Sequence, residues 1–128
     1  MADTPADRKY LQTHEWHKPA GDGIVTLGIT QFAADELTDV TYVALPKVGQ
    51  TFAANERFGE IESVKATSDM YTGIAGTVVE VNEAVNADPS LVNSDPYEAG
   101  WLIKLKATNP ADVDGLLAVD EYLKKIGH

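Results

Sequence analysis

The stretch from Gly59 to Asn82 constrains this chain more than any other. Before Lys65, the run Gly59-Glu60-Ile61-Glu62-Ser63-Val64 mixes apolar residues with carboxylates in a strand-like pattern. After it, Gly73 and Gly76 punctuate the chain. Thr77, Val79 and Val81 then fall on one face of a second strand, with Glu80 and Asn82 on the other. Lys65 therefore sits where the chain reverses between two strands. A flexible amine at the tip of a rigid hairpin suits a covalent attachment point better than a catalytic base, because a lysine working as a base needs burial.

The remainder of the chain is cut the same way, into short pieces. Residues 10–19 read as extended, and Gly21-Asp22-Gly23 predicts a turn before a strand over 24–29. Thr30 is an N-cap for a short helix over 31–37, with Phe32, Ala33, Glu36 and Leu37 spaced for one helical face. A strand over 40–45 stops at Pro46, and Gly49 and Asn55 bracket a short strand around Phe52. Residues 82–88 make a helical turn ended by Pro89, and Asn93-Ser94-Asp95-Pro96 makes a loop before a strand over 101–107. In that strand Trp101, Ile103, Leu105 and Ala107 alternate with Lys104 and Lys106. From Pro110 the period turns helical. Leu116, Leu117, Val119, Tyr122, Leu123 and Ile126 form an apolar stripe for a C-terminal helix packed on the sheet. The expected fold is mainly β, a small barrel or sandwich with short peripheral helices and a C-terminal helix. At 128 residues it is expected to form one domain, with 1–8 as a flexible lead-in and 110–128 as a helical extension.

Composition removes several classes of function. A formal charge of −10 argues against a nucleic-acid surface, which would concentrate Lys and Arg on one face. There are no cysteines, hence no disulfide, cysteine nucleophile or thiolate metal site, and any redox sulfur must arrive on a cofactor. No apolar run approaches the roughly 20 residues of a membrane span. The polar, acidic start Met1-Ala2-Asp3-Thr4-Pro5-Ala6-Asp7-Arg8 is unlike a signal or transit peptide, so a cytoplasmic address is the expectation; the protein is separately expected to be a monomer. His14-Glu15-Trp16-His17 lacks the His-Glu-x-x-His spacing and a third ligand, and both histidines are expected to be structural. Trp16, Tyr97 and Trp101 read as core or loop anchors.

The residues around Lys65 carry a resemblance. Glu62-Ser63-Val64-Lys65-Ala66-Thr67-Ser68-Asp69, followed by Gly76-Thr77-Val78-Val79-Glu80-Val81-Asn82, resembles the lipoyl-lysine segment of the glycine cleavage H-protein family. Tyr10 with Thr13-His14-Glu15-Trp16, then Val25-Thr26-Leu27-Gly28-Ile29-Thr30, then Val43-Ala44-Leu45-Pro46-Lys47-Val48-Gly49 resemble that family in its order. So does the run from Leu91-Val92-Asn93-Ser94-Asp95-Pro96 to Tyr97-Glu98-Ala99-Gly100-Trp101-Leu102. The resemblance implies a barrel-sandwich hybrid and a non-catalytic carrier with lipoate bound covalently at Lys65. It gives Thr13, Glu15 and Asp69 a part in holding the amine of a loaded arm, and Phe32 stands where some relatives carry a histidine. The physics agrees: a protonated amine wants oxygen acceptors, and a labile adduct survives where water is excluded. A dithiolane ring is too small for the disulfide torsion near ±85–100° that an unstrained bond prefers, so it opens readily.

The partners so implied are the pyridoxal-phosphate glycine decarboxylase, which loads an aminomethyl group, and aminomethyltransferase, which passes its carbon to tetrahydrofolate. The FAD enzyme dihydrolipoamide dehydrogenase and a lipoate-attaching enzyme complete the set. Glu60, Glu62 and Asp69 could guide that attaching enzyme or simply keep the hairpin soluble. Rival carriers fit less well. A biotin carrier would place methionines beside the lysine, where Val64 and Ala66 stand. A 2-oxoacid dehydrogenase lipoyl domain more often has Asp before the lysine and lacks the Trp101 region and terminal helix. An H-like lipoate relay that donates its group to other enzymes, and an unmodified β interaction domain, remain as alternatives. A stand-alone enzyme is disfavoured, since no nucleophile–base pair is visible.

Overall fold

A computed structural model describes residues 4–127; of the lead-in expected over 1–8, residues 1–3 lie outside the described residues. Two antiparallel sheets carry the fold. The larger has the spatial order β1 (Lys9–Tyr10), β2 (Glu15–Gly21), β3 (Ile24–Ile29), β9 (Ile103–Ala107), β8 (Gly76–Val81) and β5 (Thr51–Phe52). The smaller is β4 (Val40–Ala44), β6 (Arg57–Ser63) and β7 (Thr67–Tyr71). Four short helices join or follow them: α1 (Gln31–Leu37), α2 (Glu83–Ala87), α3 (Leu91–Ser94) and α4 (Val119–Lys125), with a 3-10 helix at Pro110–Gly115. This is the mainly β architecture with peripheral and C-terminal helices that the sequence predicts.

The core lies between the sheets. Leu27, Val78, Ile103 and Leu105 of the larger sheet meet Val43, Ile61 and Met70 of the smaller one in a single apolar cluster. Each such side chain contributes about 1.5–3 kcal/mol on burial. β2 is unusual, because Glu15, Trp16 and His17 are all buried. Alternation in a strand sends Glu15 and His17 to one face and Trp16 to the other. Trp16 joins Tyr10 and Tyr122 in a second, aromatic cluster against which Tyr97, Trp101, Leu117 and Leu123 pack. That cluster is what α4 covers. Arg8, at the end of the expected lead-in, is buried in it, with its guanidinium 4.7 Å from the Trp16 ring.

Several expectations are corrected. The partner of β6 in the lysine hairpin is β7, and the strand after Gly76 belongs to the other sheet. β7 reads Thr-Ser-Asp-Met-Tyr with only Met70 buried, so its apolar alternation is too weak to see in sequence. In β8 the buried side chain is that of Val78, while Val79 is 43% exposed. The register shifts between Val78 and Glu80, and this extra residue resets the phase so that Val81 packs on the core. The extended reading of 10–19 breaks at a turn over 11–14, where His14 adopts φ 84° and Leu11 N–H donates to the Glu15 carbonyl. α1 begins and ends where expected, but it buries Ala34 and Leu37. Residues 93–94 end the short helix α3, and the last strand starts at Ile103. Leu116 and Leu117 precede α4; Leu116 packs on the main core, whereas Leu117 bridges Tyr10 across a β-pair and packs with Val119, Leu123 and Ile126 on the aromatic cluster.

Gly59 shows how tightly the hairpin's base is built. A Cβ there would lie 2.3 Å from the Ala44 carbonyl oxygen on β4, whose backbone is held in the ladder. Gly59→Ala is expected to destabilise the protein by about 1–3 kcal/mol, as overpacking does. Urea denaturation of the purified variant, with β content checked by circular dichroism, measures this. Unchanged stability would show that β4 can move aside.

Candidate functional site

The hairpin turn is organised by Ser63. Its hydroxyl oxygen accepts from the N–H groups of Lys65 (3.1 Å) and Ala66 (3.0 Å), while Ser63 N–H donates to the Ala66 carbonyl at 2.8 Å. Val64 N–H donates to the Asp39 carbonyl at 3.1 Å, which pins the tip to the segment after α1. Lys65 itself is exposed. Its Nζ donates to the Glu36 carbonyl, 3.3 Å away, near the end of α1.

Glu36 belongs to the wall of a cleft of about 340 Å³ between α1 and β7. Phe32, Ala33, Glu36 and Leu37, the helical face singled out by spacing, line this cleft and face β7 across it. On the opposite wall stand Thr67 and Asp69. Thr13 and Glu15 line it as well, so all three residues expected to receive an amine share one cavity that opens beside the hairpin of Lys65. Thr13 and Asp69 also border an adjoining open groove.

Glu15 is the chemically unusual member, a carboxyl group only 1% exposed. The Thr13 hydroxyl donates to its Oε1, and Tyr71 N–H donates to Oε2 at 2.8 Å. Burial pushes its pKa up to about 7, and those two hydrogen bonds hold the rise in check. The group is thus poised near neutrality. Asp69 differs: it is exposed, and the Arg57 guanidinium engages one of its oxygens at 2.7 Å while reaching toward Glu60 at 3.7 Å. Surface pairs of this kind contribute only about 0–1 kcal/mol, so Asp69 is free to exchange partners. Glu60 is tied to Arg57 and does not line the cleft.

The two histidines diverge. His17 is fully buried, accepts from Gly73 N–H at 3.0 Å through Nε2, and is held by burial at a pKa of about 4, so it is a neutral structural group. His14, read as structural, instead lines the cleft, with Nδ1 2.8 Å from the Tyr122 hydroxyl of α4. A signal was available in sequence: a residue between Thr13 and Glu15 in a turn shares their wall. Among the described residues, no group of three His, Asp or Glu could hold a metal ion, and no helix is long and apolar enough to cross a membrane. Trp16 Nε1–H donates to the Pro96 carbonyl at 3.1 Å, which ties β2 to the segment after α3.

Comparison with known proteins agrees with this arrangement. The family model described as Glycine cleavage H-protein matches residues 8–128. The glycine cleavage system H protein of Opitutus terrae is 50% identical over 127 residues, covering 99% of this chain and 100% of that protein. That of Laribacter hongkongensis shows the same identity and coverage. Among solved structures, the glycine cleavage system H protein of Mycobacterium marinum superposes with a TM-score of 0.89 at 42% identity, over 98% of this chain and 100% of that one. A family model spanning nearly the whole chain, half-identical relatives and a shared fold lead to one conclusion: this chain belongs to the glycine cleavage H-protein family.

Proposed function

We propose that this protein is the lipoyl-lysine carrier of glycine cleavage, with lipoate joined by an amide to Lys65 Nζ and the arm's far end resting in the cleft of Thr13, Glu15 and Asp69. One observation carries the reading: an exposed amine at the tip of a pinned hairpin reaches the mouth of a cleft walled by apolar groups and oxygen acceptors. Such a cleft fits an arm that is apolar along its length and polar at its end. When bound, lipoate supplies a strained disulfide that opens to take up a carbon group and closes again on oxidation.

The chain's own residues bind and shield. A protonated amine entering the cleft meets Glu15, whose ionised form it favours, so the carboxyl group gives up its proton as the cation arrives. Asp69 can leave Arg57 to join it, and Phe32, Ile61 and Met70 keep the wall dry. On this reading the chain is a carrier that catalyses nothing by itself. The partners are then the glycine decarboxylase, aminomethyltransferase and dihydrolipoamide dehydrogenase of the system, plus a lipoate-attaching enzyme. A tethered arm raises the local concentration of cargo at each.

Intact mass and peptide mapping of protein incubated with lipoate, ATP and a lipoate-attaching enzyme test the reading. A single lipoyl adduct on Lys65 is expected. A folded sample left unmodified by an active ligase would instead make this a β interaction domain.

A further inference from the structure

On the reading that Lys65 bears an arm, we infer that His14 is a hydrogen-bond donor built into the arm's cleft and that Tyr122 of α4 is its positioning residue, with a thiol or thiolate sulfur at the arm's end as the acceptor. Three side chains form a hydrogen-bonded chain behind the cleft. The Tyr122 hydroxyl lies 2.8 Å from His14 Nδ1 and 2.8 Å from Thr30 Oγ1, and Thr30 Oγ1 also accepts from Ala33 N–H as the N-cap of α1.

Only one assignment of protons satisfies all three. Thr30 and Tyr122 are fully buried, so each hydroxyl hydrogen needs an acceptor. If Thr30 donates to Tyr122 and Tyr122 donates to His14 Nδ1, both hydrogens are used. In the reverse order the Thr30 hydrogen has no acceptor. Tyr122 remains a phenol, since burial raises its pKa to about 12, and burial also keeps His14 neutral by lowering its pKa, with Glu36 opposing. A neutral imidazole that accepts at Nδ1 carries its hydrogen on Nε2. That Nε2–H has no hydrogen bond among the described residues, and the ring lines the cleft.

Most of the other polar groups there are unsuited to the same task. Glu36 and Asp69 accept, as does Glu15 once ionised, the Thr13 hydroxyl hydrogen is spent on Glu15, and that of Ser68 goes to the Asp69 carbonyl. The Thr67 hydroxyl is a second donor but sits exposed on the rim. At the end of the arm, a protonated amine has only donors and so cannot take the His14 hydrogen. Sulfur can, most strongly as thiolate. Amine and sulfur are thereby sorted to opposite-natured groups. The ring's aim comes from α4, because Tyr122 stacks on Tyr10 at 4.9 Å and cannot turn away. The C-terminal helix thus sets the polarity of a cleft it does not line.

Two measurements test this. In unmodified protein, two-bond proton–nitrogen correlation spectra report the His14 tautomer. Nε2–H is expected in the native protein and a tautomer mixture in Tyr122→Phe, which keeps the ring stack. An Nδ1–H native tautomer would overturn the inference. In lipoylated protein reduced to the dithiol, thiolate ultraviolet absorbance is followed against pH. His14→Asn is the second variant, since Asn tolerates positive φ and its short amide can meet Tyr122 without reaching the cleft. Both variants are expected to raise the lower thiol ionisation by about one pH unit, tenfold in ionisation constant, because the hydrogen bond favours the charged form. Identical titrations in all three proteins would overturn the inference and leave the carrier reading standing. Failure of the native protein to take lipoate would remove both, even with the Nε2–H tautomer seen.

Discussion

Lys65→Arg is expected to give a folded protein that accepts no lipoate and supports no glycine–bicarbonate exchange. Amide formation needs a primary amine that can lose its proton, and a guanidinium stays charged at any working pH. The side chain is exposed and makes a single hydrogen bond, to the Glu36 carbonyl at 3.3 Å, which a guanidinium can also make. Stability should therefore move by no more than about 0.5 kcal/mol, as for other surface changes. The hairpin turn depends on Ser63 and on backbone groups, none of which the substitution touches. Intact mass and an exchange assay with the partner enzymes decide it. Exchange retained in the variant would remove Lys65 from the mechanism, whatever its mass.

Glu15→Gln should separate stability from function. In the folded protein Glu15 ionises near pH 7, against 4.5 when free, so between those values the folded state holds a proton that the unfolded state has lost. Its contribution falls as pH rises through that window, and above pH 7 the buried carboxylate costs about 3 kcal/mol. His17 works in the opposite direction. It ionises near 4 when folded against 6.5 when free, so its contribution grows as pH rises from 4 to 6.5. In the native protein the two slopes oppose one another between pH 4.5 and 6.5.

Glutamine removes the falling one. Its carbonyl can accept from Tyr71 N–H while its amide donates to the Thr13 oxygen, so no buried polar group is orphaned. The variant should gain stability steadily from pH 4 to 6.5 and exceed the native protein by up to about 3 kcal/mol above pH 7. Urea denaturation at a series of pH values measures it. Profiles that coincide would mean that Glu15 is not held protonated. On the carrier reading, the same variant still takes lipoate but holds an amine-loaded arm for a shorter time, since a neutral amide replaces the carboxylate. Stabilisation with loss of cargo is the mark of a residue kept for function.

The mainly β architecture could be read from the chain because its signals are local. Gly21-Asp22-Gly23 turns the chain where a turn is needed, Thr30 caps α1, and Ile103, Leu105 and Ala107 alternate as a half-buried strand must. Lys65 falls at a reversal for the same reason, set by the residues on either side of it. The strand that pairs across it is not legible in the same way. β7 is a polar strand whose single core residue, Met70, leaves no period to detect, and pairing along an edge depends on backbone groups that every residue carries.

The short strands, the short capped helix and an exposed lysine between them all follow from residue type and spacing along a few neighbours. The cleft does not follow from such local signals and arises only when the chain closes on itself. Thr13 and Glu15 come from the turn into β2, Phe32 and Glu36 from α1, and Asp69 from β7, and their meeting depends on how the two sheets close over one core. The pKa of Glu15 near 7 and the aim of His14 belong to that closure too. Desolvation and hydrogen bonding at a site act through space, between groups that the chain separates by up to 108 positions, as His14 and Tyr122 are.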